Sequence, residues 1–188
     1  YNTNSAYAVG AYVKGSVFLN QLSYIIGKQA FDQGMKNYFN TWKFKHPNAN
    51  DFIRVMEKVS GIELDWYREY WVNTTFTIDY AVKEVDKESR KETVIKLERI
   101  GRMPMPVDVL VTEKNGDQTL YTIPLRIMRG EKKPERNDMD FKVAEDWPWV
   151  NETYELVIPV KEKKVRSVVI DPSRRMADVN TDNNKYED

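Results

Sequence analysis

Residues 7–27, YAVGAYVKGSVFLNQLSYIIG, decide how the rest of the chain is read. Apolar side chains at Val9, Tyr12, Val13, Val17, Leu19, Leu22, Ile25 and Ile26 leave a helix over this stretch almost no wide polar face, so it is expected inside a protein. The first half departs from that pattern. Gly10, Lys14, Gly15 and Ser16 make that end small and polar, which suggests that it lines a cleft while the second half enters a core.

Gly27 is the natural C-terminal cap, expected in the left-handed conformation that costs least at glycine. A second helix follows, because Phe31, Gly34, Met35, Tyr38, Phe39 and Trp42 form an apolar stripe opposite Lys28, Asp32, Lys36 and Asn40. His46-Pro47 breaks it. Asn48 with Asp51 three residues later has the form of a capping pair, and Phe52, Val55, Met56 and Val59 carry a third helix to Gly61. A fourth, from about Glu63 to Asn73, presents Trp66, Tyr67, Tyr70 and Trp71, which read as core or domain seam rather than as a ligand platform. Four helices on short connections predict a compact antiparallel α region.

Near Thr75 the period changes to two. Ile78, Tyr80 and Val82 alternate with polar residues, as do Ile95 and Leu97, then Val107, Val109 and Val111, then Thr119, Tyr121, Ile123 and Leu125. Asn115-Gly116 between the last two predicts a tight hairpin with both central residues at positive φ. Residues 130–146 are charged and without a period, so a long loop or a poorly formed edge is expected. Strands resume at Tyr154, Leu156 and Ile158 and at Val165, Val168 and Ile170. The fold class is therefore α+β: a helical part over 1–75, an immunoglobulin-like antiparallel β-sandwich over 76–171, and a polar tail over 172–188 that runs over the surface or frays.

Composition narrows the function classes. Lys and Arg number 29, as do Asp and Glu, so no net field recommends nucleic acid or an anionic membrane as partner. No apolar run reaches the roughly 18 residues of a membrane span. Without cysteine there is no disulfide, thiolate metal site or cysteine nucleophile. The one histidine, His46, precedes a proline in a loop and reads as a plain loop residue, not a ligand. No phosphate-binding glycine loop is present, and the sequons at Asn73 and Asn151 read as coincidence in an Asn- and Thr-rich chain. As a stand-alone enzyme the inventory is incomplete, and the start on Tyr1 has the look of a piece of a longer protein.

One set of residues nevertheless has a recognisable order. Tyr12-Val13-Lys14-Gly15, then Phe18, Leu19, Leu22 and Gly27, then Phe31, Tyr38, Asp51-Phe52, Ser60-Gly61, Leu64 and Trp71, resembles the part of M1-family zinc aminopeptidases (gluzincins) that follows the metal-binding motif. Ile170-Asp171-Pro172-Ser173 with Ala177-Asp178-Val179-Asn180 is similar to the C-terminal end of bacterial members. The resemblance implies a parent that removes N-terminal residues from peptides, with zinc held by a His-Glu-x-x-His helix and a further glutamate upstream of Tyr1. It implies that the chain alone holds no catalytic zinc and is inactive, and it favours a periplasmic or envelope location for the parent.

Tyr12 matches the family's catalytic tyrosine, the one site residue carried over. A tyrosine phenol keeps its proton at neutral pH and can donate to the oxyanion that forms on the scissile carbonyl. Tyr7 stands where some members keep a second tyrosine near the substrate. Lys14 is expected to pair with a carboxylate, and Gly15 to permit close helix packing. The competing expectation is a parent that has lost its zinc ligands and serves as a peptide-binding or scaffold protein, with the sandwich as its interaction module.

Overall fold

The computed structural model describes residues 3–188. Helix α1 (Asn4–Ala8) begins on Thr3, whose side chain accepts from the Ala6 amide. It runs through a π-helical turn, Val9–Val13, into α2 (Lys14–Ile26), giving one continuous helix. Only its second half is core: Gln21, Leu22, Tyr24, Ile25 and Ile26 are buried, whereas Val9, Tyr12 and Val13 are exposed. The expectation of a wholly internal helix thus holds for half of it, since among the described residues the buried side chains of this helix begin at Gln21.

Gly27 has φ 83° and ψ 147°, so it is not the left-handed cap expected but lies in a region open essentially to glycine alone. That geometry turns the chain sharply into α3 (Lys28–Trp42). Against α3 lies α4 (Ala49–Ser60), and the two approach so closely that a side chain at Gly34 would collide with the Met56 sulfur. Tyr38 and Phe52 meet edge to face beside it, ring centroids 5.0 Å apart. The capping pair is formed as read: the Asp51 amide donates to Asn48 Oδ1 at 3.1 Å and the Asn48 amide to Asp51 Oδ2 at 2.9 Å. Helix α5 (Asp65–Asn73) buries Trp66 and Tyr67.

Two sheets follow. One is β1 (Tyr80–Lys87), β2 (Thr93–Arg99) and β6 (Thr153–Ile158) in the order β1-β2-β6. The other joins β3 (Val107–Glu113), β4 (Gln118–Ile123), β5 (Asp140–Val143), β7 (Val165–Ile170) and β8 (Lys185–Glu187) in the order β5-β4-β3-β7-β8. All pairings are antiparallel except β4 with β5, the short parallel edge inside the stretch read as loop or edge. The architecture is therefore a helical subdomain followed by a β-sandwich.

The β3–β4 connection corrects one expectation. Gly116 alone has positive φ, at 95°, and its amide donates to the Glu113 carbonyl at 2.9 Å. The loop is thus three residues closed by a left-handed glycine, the longer hairpin solution, rather than a two-residue turn with Asn115 also left-handed. The polar tail is pinned rather than frayed. Asp178 accepts from the Tyr80 amide and from the Asn184 side chain, at 3.0 and 3.2 Å, and residues 185–187 pair with β7.

One buried apolar cluster runs through both regions, from Leu22, Ile53 and Tyr67 to Val107, Trp147 and Ile170. At its centre two phenols grip the entry to β3. Tyr80 Oη donates to the Met105 carbonyl (3.1 Å) and accepts from the Met105 amide (2.8 Å); Tyr24 Oη donates to the Pro106 carbonyl (3.2 Å) and accepts from the Asp108 amide (2.9 Å). Burial raises both phenols above the ordinary tyrosine value, so both remain donors.

Asp108 sits on the face of β3 opposite Val107 and Val109, the face where half-burial predicts water. The end of α2 covers it instead. Its carboxylate accepts from Lys132 Nζ at 2.5 Å and Thr122 Oγ1 at 2.7 Å, and Lys132 also donates to the Tyr24 carbonyl at 2.9 Å and lies 4.1 Å from the centre of the Tyr24 ring. Beside it Glu135 takes both terminal nitrogens of Arg175 and the Lys28 amide. Burial works to raise the Glu135 carboxyl, but the Arg175 and Lys28 hydrogen bonds and the Arg175 charge outweigh it and hold the group below its usual range.

Replacing Lys132 with Met leaves a buried carboxylate without its cation and should lower unfolding free energy by about 3–5 kcal/mol in urea titrations, with part recovered when Asp108 is also made apolar. Because the folded Glu135 carboxyl is depressed, its contribution is complete above the ordinary carboxylate value of about 4.3 and fades as pH falls toward the folded one. The stability gap between wild type and Glu135→Gln should therefore be largest near neutrality and close below about pH 4, as followed by thermal melts across pH.

Candidate active site

Tyr12 stands on the π-helical turn at the exposed end of the long helix. Such a turn closes on the fifth residue rather than the fourth, and such turns gather at functional positions. Here the Lys14 amide reaches the Val9 carbonyl. Tyr12 is 66% exposed and Tyr7 49%, against none for Tyr24 twelve residues further along, so the helix presents two tyrosines at its open end and buries a third at its closed end. The rings of Tyr7 and Tyr12 touch edge to face, centroids 5.9 Å apart and planes at 85°.

Two of the neighbouring expectations change. Lys14 Nζ has no carboxylate within ion-pair distance among the described residues; it lies 5.7 Å from the centre of the Trp71 ring, a cation held over an aromatic face. Gly15 packs against nothing, since an added Cβ would meet no atom within 4 Å. The close-packing glycine is Gly34. The aromatic cluster is core, as read: Phe18 stacks on Tyr67 at 4.8 Å, Trp66 meets Tyr67 at 5.7 Å and Trp71 stacks on Tyr67 at 6.3 Å. Tyr67 Oη donates to the Phe18 carbonyl at 2.8 Å and burial raises it, so this aromatic block buttresses the helix that carries Tyr12.

A cleft of about 760 Å³ lies away from Tyr12, between α5 and the sandwich loops, lined in part by Glu63, Arg68, Arg126, Arg129 and Trp149. Sequence reading missed these arginines, because nothing in the run from Arg126 to Arg129 separates them from an ordinary charged loop. The Asp108–Lys132 pair was missed for the same reason.

Among the described residues no three His, Asp or Glu side chains converge to hold a metal ion, and His46 is exposed.

Comparison with known proteins bears on the same region. Residues 1–71 match the family model of the peptidase family M1 domain. Aminopeptidase N of Haemophilus influenzae is 23% identical over 128 residues, 62% of this chain and 14% of that protein. Aminopeptidase N of Streptomyces lividans is 32% identical over 63 residues, 34% of this chain and 7% of its own length. The chain thus spans a small part of the relatives it matches. Among solved structures, Legionella pneumophila aminopeptidase A in complex with aspartic acid superposes with a TM-score of 0.62, at 14% identity, over 95% of this chain and 18% of that one, a likeness of fold.

Calorimetric titration of this chain with Zn²⁺ should show no stoichiometric site; one equivalent bound tightly would show that the donor set has been misread.

Proposed function

We propose that this chain is part of an M1-family aminopeptidase and that Tyr12 donates the hydrogen bond that stabilises the oxyanion in the hydrolysis of N-terminal residues from peptides. The observation that supports the reading is the position of its side chain, exposed on a widened helical turn whose continuation is anchored in the core.

The chemistry asked of the residue is simple. As a nucleophile adds to the scissile carbonyl, negative charge gathers on the carbonyl oxygen, and a protonated phenol at hydrogen-bond distance stabilises that charge more than it stabilises the neutral ground state. The donor must be held in place beforehand, and here the helix does so. At its far end Tyr24 and Gln21 tie it to the sandwich and the tail, and midway Phe18 is clamped by Tyr67 and Trp71. Lys14, over Trp71, sets a positive charge near the same open end. The family's zinc would be held by residues outside this chain, which makes these 188 residues by themselves inactive.

In the full-length aminopeptidase, Tyr12→Phe should lower kcat by about 10²–10³-fold with little change in KM, since the lost bond is made mainly in the transition state. Steady-state kinetics on aminoacyl substrates decides it: a near-normal kcat removes Tyr12 from catalysis. Hydrolysis of the same substrates by this chain alone would overturn the division of the site.

A further inference from the structure

Tyr7 and Tyr12 are five residues apart. In an unbroken α-helix, at 3.6 residues per turn, side chains with that spacing point about 140° apart around the axis and cannot touch. Their rings nonetheless meet edge to face at 5.9 Å. The π-helical turn Val9–Val13 accounts for it: wrapping an extra residue into one turn carries residue 12 round toward the face that residue 7 occupies. Among the described residues the Tyr7 ring is the one aromatic partner of Tyr12, and the adjacent residues of the helix add little to it. Val9 and Val13 are exposed, Lys14 is drawn to Trp71 and Gly15 has no side chain. A phenol so exposed would otherwise spread over its staggered rotamers.

We propose that Tyr7 is a positioning residue for Tyr12, and that the widened turn exists to bring the two rings together. The contact acts through the ring of Tyr7, whose edge-to-face packing restricts the Tyr12 side chain and so pre-orients its hydroxyl. This rests on the catalytic reading of Tyr12 given above and extends it to a residue whose own hydroxyl need not reach the substrate. It also gives the one-residue excess in the helix a purpose. Removing that excess would leave the two tyrosines on different faces and out of contact.

The test compares Tyr7→Phe, Tyr7→Ala, Tyr12→Phe and the Tyr7→Ala/Tyr12→Phe double variant in the full-length aminopeptidase, with ring resonances of Tyr12 recorded in this chain. Tyr7→Phe keeps the ring and should stay within about twofold of wild-type kcat, while Tyr7→Ala should lower kcat by up to about tenfold at unchanged KM. In the Tyr12→Phe background Tyr7→Ala should add nothing, because there is no hydroxyl left to orient. The Tyr12 ring resonances should move in Tyr7→Ala and stay in Tyr7→Phe. The proposal is overturned if Tyr7→Phe is as impaired as Tyr7→Ala, if the two losses multiply, or if Tyr7→Ala matches wild type while Tyr12→Phe does not. A wild-type kcat in Tyr12→Phe overturns instead the catalytic reading. That case is recognisable, since Tyr7→Ala would then still shift the Tyr12 resonances and leave kcat unchanged.

Discussion

One buried ammonium group stands at the seam between the two halves of this molecule. Where α2 ends against β3, Lys132 Nζ meets the Asp108 carboxylate, the Tyr24 carbonyl and the face of the Tyr24 ring. Each would be costly in that position without it. Asp108 is a buried charge, and the Tyr24 carbonyl is one of the last four of its helix, which no later turn can satisfy. A cation at a helix C-terminus also meets the negative end of the helix dipole. The geometry of the seam, and with it the direction of α2, depends on this arrangement, because no apolar residue at position 132 could serve the carboxylate and the carbonyl together.

The same helix is treated in opposite ways at its two ends. Near Tyr24 it is buried, aromatic and tied to β3 by hydrogen bonds; near Tyr12 it is exposed and widened. An anchored distal half with an exposed near end suits the role proposed for Tyr12, since a donor is useful only if it need not reorganise as charge develops. The Phe18–Tyr67–Trp71 stack lies between the two ends and keeps the exposed turns aligned with the anchored ones.

Much of this was legible from periodicity. The capping pair Asn48/Asp51, the stripe on α4 and the alternation through β1 to β4 are local patterns, and local patterns suffice where the nearest turn or strand supplies the partner. What stayed hidden depends on contacts distant in sequence. Asp108 reads as the solvent side of a strand until α2 covers it, and Lys132 reads as one charge among several in EKKPER. Gly15 and Gly34 look alike in sequence, yet only Gly34 is pressed against a neighbour, because only there do two helices cross. The tyrosine at position 12 could be singled out by its neighbours in the motif, but not the widened turn beneath it, since no residue type in VGAYV demands one.

The Gln21 side chain, fully buried in α2, accepts from the Ala177 amide at 2.8 Å, a partner 156 residues further along the chain. The Gln21 Nε2 meets the Tyr67 hydroxyl, at 3.5 Å and 46 residues on, but its oxygen has to wait until the segment around Ala177 has been made. Fast local helix formation is thus followed by a slow step, the closure of a very long loop. The final seating of the helix that carries Tyr12 is therefore set by a segment 156 residues further along, so forming the helix and completing its packing are separate events.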